Sequence, residues 1–513
     1  MPDAARHDYL VVGAGSAGCV VAARLSEDPS TNVLLLEAGP RDRAKEIRIP
    51  AAFSKLFKSK FDWGFETTPQ PGLDGRRIFF PRGKTLGGSS ALNAQMYLPG
   101  HPADFAHWPE GWAWDDVRPY FERLDSGPCS ISAPRDPNPM SRAFLRAVTD
   151  SGVAAESDLD FEHPDGAGLV RLTQRNGLRC SAADAYLKPA RGRDNLTVLT
   201  DAQVLGIELD GPRAPGVRYR RGDGEEVATA KRELILCAGA LGSPQLLMLS
   251  GIGPADELQK HGIEQRHELP VGRNLQDHAV AIALFDARGK DSLYAAEKPI
   301  QLLRLLLRRR GLLTSNVGEA AVFLRSRGEL EAPDLELIFG PVLYLEEGLV
   351  PPPSHGFSIA SVALQPRSRG NVRLRSADPL DPPDIDPAYL SDSEDARVMV
   401  EGTKLVKQLA RASALEPWFE KERAPGEAVE SDADIEAWVR ANAHTIYHPV
   451  GTCAMGEVVD SELRVKGVEA LRVADASVMP QLNRGHTHAP TTMIAERGAE
   501  LIRAEAPRRA AVG

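Results

Sequence analysis

Cysteine is scarce in this chain. The five present (Cys19, Cys129, Cys180, Cys237 and Cys453) are scattered, and none forms a C-x-x-C pair. An odd, dispersed set excludes a disulfide framework and a structural zinc site, so no metal centre is expected and a reducing compartment fits. An excess of positive charge is also missing, since 61 Lys and Arg against 71 Asp and Glu leave a net charge of −10. Such a field repels phosphate backbones, and nucleic acid is not an expected partner. Long apolar runs are lacking near the start, where the longest charge-free stretch, Tyr9–Ala23, has 15 residues and four Gly or Ser. A spanning helix needs about 18 mostly apolar residues. Residues 1–7, ahead of the first strand-like run, leave no room for a signal peptide, so a cytoplasmic location is expected. Low-complexity tracts are absent apart from Pro351-Pro-Pro353, and no internal repeat is visible.

What is present is an ordinary globular composition, 42% hydrophobic and 26% charged over 513 residues. It excludes intrinsic disorder and suits two large or three smaller domains at about 150 residues each. The first motif is legible at once. Asp8–Val12 is a buried-strand run, Gly13-Ala-Gly15-Ser-Ala-Gly18 follows, Cys19–Leu25 reads as a small-residue helix, and Asn32–Glu37 is the next strand. This is a β-α-β unit with the G-x-G-x-x-G dinucleotide fingerprint at its turn. Gly13 permits the tight turn, Gly15 lets backbone approach a pyrophosphate, and Gly18 lets helix and strand pack closely. Glu37, 19 residues after Gly18, is placed to accept from ribose hydroxyls, which disfavours a 2′-phosphate and makes NADP the weakest candidate.

Further glycine-rich segments follow. Arg82-Gly-Lys-Thr-Leu-Gly-Gly-Ser-Ser90 suits close approach to a flat ring or a phosphate, its alternative being a plain surface loop. Glu233–Gly239 is another buried strand ending in glycine, leading to an apolar helix over Gln245–Leu249, and Leu471–Met479 opens as a third such strand carrying Asp475. Their return implies a cofactor domain assembled from the start, middle and end of the chain. Between them, Gly356–Leu364 and Gly370–Leu374 alternate as half-buried antiparallel strands, Asp378–Pro387 reads as loop, and Ser393–Ala412 and Asp432–Asn442 read as amphipathic helices.

Together the motifs resemble those of the glucose–methanol–choline (GMC) oxidoreductase family. They are the opening unit, Arg82–Asn93, Gly239–Pro254, Val271-Gly-Arg-Asn-Leu-Gln-Asp-His278, Pro366–Gly370 with Asp386-Pro387, His444-Thr-Ile-Tyr-His-Pro-Val-Gly-Thr452, and Val473–Pro480 with Ala489-Pro-Thr491. They stand in family order, and the match looks closest to the bacterial alcohol and choline dehydrogenase-like branch. The resemblance implies an α/β plus α+β fold, a discontinuous Rossmann-like FAD-binding domain with an antiparallel-sheet substrate-binding domain. The expected division is 1–290 for the FAD domain, with a substrate-domain segment inserted around 130–190, then 291–445 for the substrate domain and 446–513 for the return. It implies FAD, and oxidation of a primary alcohol by hydride transfer to flavin N5, with oxygen, a quinone or another acceptor taking the electrons. A single fingerprint leaves no second site for NAD, so substrate meets the flavin directly.

Carried over motif by motif, the resemblance assigns cofactor contacts to Gly13, Gly15, Ser16, Ala17, Gly18, Glu37 and Ala38. It adds Arg82, Gly83, Leu86, Gly88, Asn93 and Ala94 along the flavin, and Val204 at adenine through its backbone. Ala238, Asp475, Ala476, Pro490 and Thr491 complete the set, with Asp475-Ala476 at the pyrophosphate and ring system. His448 matches the catalytic base; an imidazole that accepts the hydroxyl proton eases hydride loss from the carbon. His488 stands where many relatives have the second Asn of Asn-Thr-Asn-Ala-Pro-Thr, which makes a His–His pair and leaves open which histidine takes the proton. His486, one alternation off, reads as structural. Leu92 occupies the position where some members attach FAD through histidine, so dissociable FAD is expected. Glu319 lies near the point where an acid helps choline-type members, without assigning that substrate. Pro299–Leu313, where Leu302, Leu303, Leu305, Leu306 and Leu307 stand among Arg304, Arg308, Arg309 and Arg310, reads as a core helix or as a basic amphipathic helix on an anionic membrane, and the core reading is preferred. The alternative function is a flavoprotein of this fold with lyase or decarboxylase chemistry, or flavin binding without turnover.

Overall fold

A computed structural model describes residues 7–154, 159 and 165–510. Parts of the expected domain ranges, residues 1–6, 155–158, 160–164 and 511–513, lie outside the described residues.

Two seven-stranded sheets organise the chain. In the first, His7–Val12 pairs in parallel with Val33–Leu36 on one side and Gly224–Leu236 on the other. Leu196–Leu199 adds beyond Val33–Leu36, and Leu471–Val473 pairs in parallel with the end of Gly224–Leu236. The start of that long strand pairs antiparallel with Arg213–Arg221, which in turn pairs with Ala202–Asp210. The central parallel strands, Val33–Leu36 and the ends of His7–Val12 and Gly224–Leu236, are near-continuous Val, Leu and Ile because both faces are covered. One of the covering layers is the helix Ser16–Leu25, packed against the long C-terminal helix His488–Ala510. Registers align Val12 with Leu36 and Leu236, and Leu236 with Val473, so the carboxyl ends of the strands open at one level. That is where ligands bind in open parallel sheets.

The second sheet is antiparallel throughout. Its order is Phe419–Ala424, Ala279–Ala287, Gly356–Ala363, Leu335–Gly340, Ala320–Leu324 and Gly166–Leu169, with His444–Thr445 also paired to Ala279–Ala287. Period-two alternation divides its residues. Phe357, Ile359, Leu337 and Phe339 face a core shared with Met399 and Val406 of the helix Ser393–Ala410. Ser358, Ala360, Ile338, Val280 and Ile282 face the opposite way, into a cavity.

Several elements depart from the sequence expectations. Gly356–Ala363 is buried on both faces, not half-buried, because helix covers one face and the cavity wall forms the other. Asp384–Asp386, inside the expected loop, is a short strand on Gly370–Arg373. The helix expected from Gln245 begins at Gly239 and runs through Pro244. Proline there frees the carbonyl of Ala240, and the hydroxyl of Thr452 donates to it at 2.7 Å. The largest departure is at Pro299–Arg308, where the core reading fails. Only Gln301 and Leu305 are buried, while Ile300, Leu302, Leu303, Leu306 and Leu307 face out.

Candidate active site

One cavity of about 670 Å³ runs from the strand ends of the first sheet to the inner face of the second. At its first end the fingerprint turn works as its glycines require. Gly13 has φ +95°, and a Cβ there would lie 2.6 Å from the carbonyl oxygen of Cys237. Gly18 packs against the turn, where a Cβ would fall 1.8 Å from the Gly13 oxygen. A Cβ on Gly15 would meet nothing nearer than the Cα of Gly88, at 4.0 Å, so backbone is exposed to whatever fills the cavity. Gly88 in turn lies against Gly15, its own Cβ position 2.6 Å from that Cα, and seats the second glycine loop on the first.

Two helix N-termini converge here. Ser16 and His488 are the first residues of their helices, and Ser16 Oγ lies 3.1 Å from His488 Nδ1. Exposed glycine backbone beneath two positive helix ends is the donor set a pyrophosphate needs. Glu37 accepts from the backbone N–H of Ala14 and of Gly39, both at 2.8 Å, and burial pushes its carboxyl up to about 7 despite them. A carboxylate has about four acceptor sites, so lone pairs remain for ribose hydroxyls. Asp475 accepts from Gly239 N and Ser243 Oγ with one oxygen and from Ser477 N and Oγ with the other. It staples two separate chain segments into one wall. These features fit FAD.

Of the nineteen residues assigned to the cofactor, all but three converge on this wall. Gly13, Gly15, Ser16, Ala17, Glu37, Ala38, Arg82, Gly83, Gly88, Asn93, Ala94, Val204, Ala238, Asp475, Ala476 and Thr491 line the cavity. Gly18, Leu86 and Pro490 are buried behind it: Gly18 packs helix on turn, and Leu86 belongs to the first core. Leu92 lines the cavity with no nucleophilic atom.

His448 and His488 both line the cavity, yet no hydrogen bond or ring contact joins them among the described residues. The direct neighbours of His448 are other histidines. His448 Nδ1 lies 2.9 Å from Nδ1 of His278, whose Nε2 lies 3.0 Å from the carbonyl oxygen of Leu364. A carbonyl only accepts, so His278 carries its proton on Nε2. Burial holds His278 down to about 3, which keeps it neutral and makes its Nδ1 an acceptor. His448 must therefore donate from Nδ1, and its Nε2 is left unprotonated. Burial, then the neighbouring His486 and His278, hold His448 well below the ordinary imidazole range.

The backbone of His448 is pinned as well. Its N–H donates to Asp277 Oδ1 at 2.7 Å, while Tyr389 and Thr445 donate to Oδ2. Tyr447 sits at φ +71°, and its carbonyl accepts from Arg82 Nη1 at 2.7 Å. His486, expected to be structural, lines the cavity edge-on to His448, ring centroids 4.6 Å apart, with Nε2 3.2 Å from the buried Glu336. Burial, then Arg179, brings His488 down to about 4.

Glu319 is not at the site. Its carboxylate accepts from Asn138 N, Ser141 Oγ and Ser315 Oγ behind the sheet. Around the histidines the wall is Phe53, Phe57, Met96, Val317, Ile338 and Ala360. Among the described lining residues the carboxylates are Glu37, Asp381 and Asp475, and Glu37 and Asp475 belong to the strand ends of the first sheet. The sequence reading gave no role to Asp277, His278 or Glu336. An acid–histidine pair directly ahead of a buried strand was the available signal for the first two; Glu336 is an isolated acid in a strand and carried none.

The family pattern described as GMC oxidoreductase matches residues 7–280 and, in its C-terminal part, 366–495. The chain is 49% identical to a GMC-type oxidoreductase of Mycobacterium tuberculosis, over 97% of this chain and 99% of that one. It is 41% identical to the alcohol dehydrogenase (acceptor) of Pseudomonas putida, over 97% of this chain and 95% of that one. Among solved structures, pyridoxine 4-oxidase superposes with a TM-score of 0.89 at 34% identity, covering 97% of this chain and 99% of the other. Formate oxidase of Aspergillus oryzae, studied for modification of its FAD, gives a TM-score of 0.92 at 27% identity over 98% and 99%.

Proposed function

The chain belongs to the GMC oxidoreductase family, and we propose that it oxidises a primary alcohol of apolar character, with His448 as the base. It is an FAD-family oxidoreductase acting on CH–OH donors. The observation that carries the finer reading is the hydrogen-bonded chain ending at His448: Leu364 O, His278 and His448 in sequence fix the tautomer and leave Nε2 as the free lone pair. An unprotonated imidazole nitrogen in a dry pocket takes the hydroxyl proton as the carbon gives up its hydride. Bound FAD supplies the acceptor for that hydride. His488, at the head of its helix, and His486, held by Glu336, offer the alcohol oxygen two further imidazole edges. Asp277 keeps the His448 backbone from shifting as the proton arrives. The apolar wall excludes water and selects against charge.

Among the described lining residues no carboxylate stands beside the histidines, which argues against choline. Phe53, Phe57, Tyr344 and Tyr447 offer aromatic faces to a quaternary ammonium, but Glu319, the acid that would pair with it, is engaged elsewhere. Leu92 supports FAD held without a covalent bond.

An anaerobic panel tests the reading. Medium-chain primary alcohols should bleach the flavin absorbance and choline should not, with oxygen and an artificial quinone then compared as acceptors. A flavin left unbleached by every alcohol, or bleached best by choline, contradicts it.

A further inference from the structure

The helix Pro299–Arg308 turns the wrong way for a water-facing helix. Its anchor is narrow: Leu305 is 1% exposed and Gln301 6%. Leu307 is 74% exposed, Leu306 58%, Leu303 49%, Ile300 48% and Leu302 44%. At 100° per residue these five occupy an outward arc of about 160°. Tyr294, just ahead of the helix, is a sixth exposed apolar side chain. Nine large hydrophobic residues are exposed among the described residues, and six fall in this one segment. Scattered singly they would need no account; gathered on one face they mark a contact surface.

The charge beside that face identifies its partner. Arg304, Arg308 and Arg309 flank the leucines, and none has an ion pair or side-chain hydrogen bond among the described residues. Only Arg310 is engaged, with Asp136 at 2.7 Å, an interaction that anchors the helix end to the body. Three unpaired arginines beside an aliphatic face, on a chain of net charge −10, are a local reversal of sign. A second copy of the chain is a poor fit, because a two-fold contact through this helix would set arginine against arginine. Guanidinium forks beside buried leucines match lipid phosphates above acyl chains.

We propose that Pro299–Arg308 is the docking surface for an anionic lipid bilayer. Ile300, Leu303 and Leu307 enter the acyl boundary, Arg304 and Arg308 meet headgroup phosphates, and Tyr294 lies at the interface. The surface adjoins the active-site wall. The helix leads into the turn Leu312–Thr314, which packs on the short helix Pro50–Leu56, and Phe53 of that short helix lines the cavity. Lys55 Nζ and Glu297 Oε1, 2.7 Å apart, tie the same two regions together. Docking would therefore hold that wall of the cavity near the bilayer. The proposal concerns binding alone and stands whether or not the alcohol reading holds.

The test uses the FAD-loaded full chain and sedimentation with vesicles of phosphatidylcholine, alone or mixed with phosphatidylglycerol. Binding is expected to the mixed vesicles only and to weaken with salt. Replacing Arg304 or Arg308 by Gln should each weaken it about fivefold. Leu303→Ser with Leu307→Ser should abolish it, while melting temperature and turnover of a short soluble alcohol stay at parental values. Those last two readouts separate a lost surface from a lost fold. Equal binding to both vesicles, binding to neither, or concentration-dependent self-association removed by Leu307→Ser in place of vesicle binding would overturn the proposal.

Discussion

His448 and His278 face each other Nδ1 to Nδ1 at 2.9 Å, an arrangement open to only one donor. Because His278 spends its proton on Leu364 O, the donor is His448, and its tautomer is set from outside the cavity. The role of His278 is positional. His278→Phe should lower the rate of flavin reduction by about ten- to hundredfold, less than loss of the base itself, with little change in KM.

The pH profile provides a second readout of the same relationship. The base works only when neutral, which is above its own pKa, and burial holds that pKa well below 6.5. Flavin reduction should therefore be flat through neutrality and fall only well on the acid side of 6.5. An acid limb at or above 6.5 in the parent would show that His448 is not held neutral in this way.

The cofactor should be dissociable. Leu92 places no nucleophile on the cavity wall where attachment occurs in some relatives, so acid precipitation should release yellow FAD into the supernatant. Colour retained in the protein pellet would mean that another side chain bonds the flavin.

Thr452 should matter for stability more than its small size suggests. Its hydroxyl is the donor to the Ala240 carbonyl that Pro244 leaves without a helical partner. Thr452→Val keeps the shape and orphans that carbonyl, at a cost of about 1–3 kcal/mol. Urea denaturation of the holoenzyme measures it, and an unchanged midpoint would contradict the account.

At position 488 the expected order is graded. His488→Asn keeps a hydrogen-bonding group toward the alcohol oxygen and should cost less in flavin reduction than His488→Ala. Equal rates for the two variants would leave the residue with a structural role at Ser16.

Much of the fold was legible because its signals are local. The strand Asp8–Val12, the glycines at 13, 15 and 18 and Glu37 all lie within one short β-α-β unit, and the second sheet shows period two along each strand. Most assigned cofactor positions reach the cavity for the same reason: each motif carries its own backbone geometry. What escaped depends on distant partners. Nothing in Pro244 predicts Thr452, 208 residues on, as the donor that lets the helix start early. His486 was set aside on alternation, yet the chain before the helix at His488 is irregular and aims it at His448. For Pro299–Arg308 the period was right and the direction wrong, since a hydrophobic arc does not say which side the body lies on.

The central claim is that His448 takes the alcohol proton, and the direct measurement is anaerobic stopped-flow reduction of the flavin in His448→Ala. The glycine loops and Glu37 do not touch this side chain, so the variant should bind FAD with its parental absorbance spectrum. Its rate of reduction by an apolar primary alcohol should fall about 10²–10⁴-fold. A His448→Ala enzyme that holds FAD and reduces it at the parental rate would contradict the account.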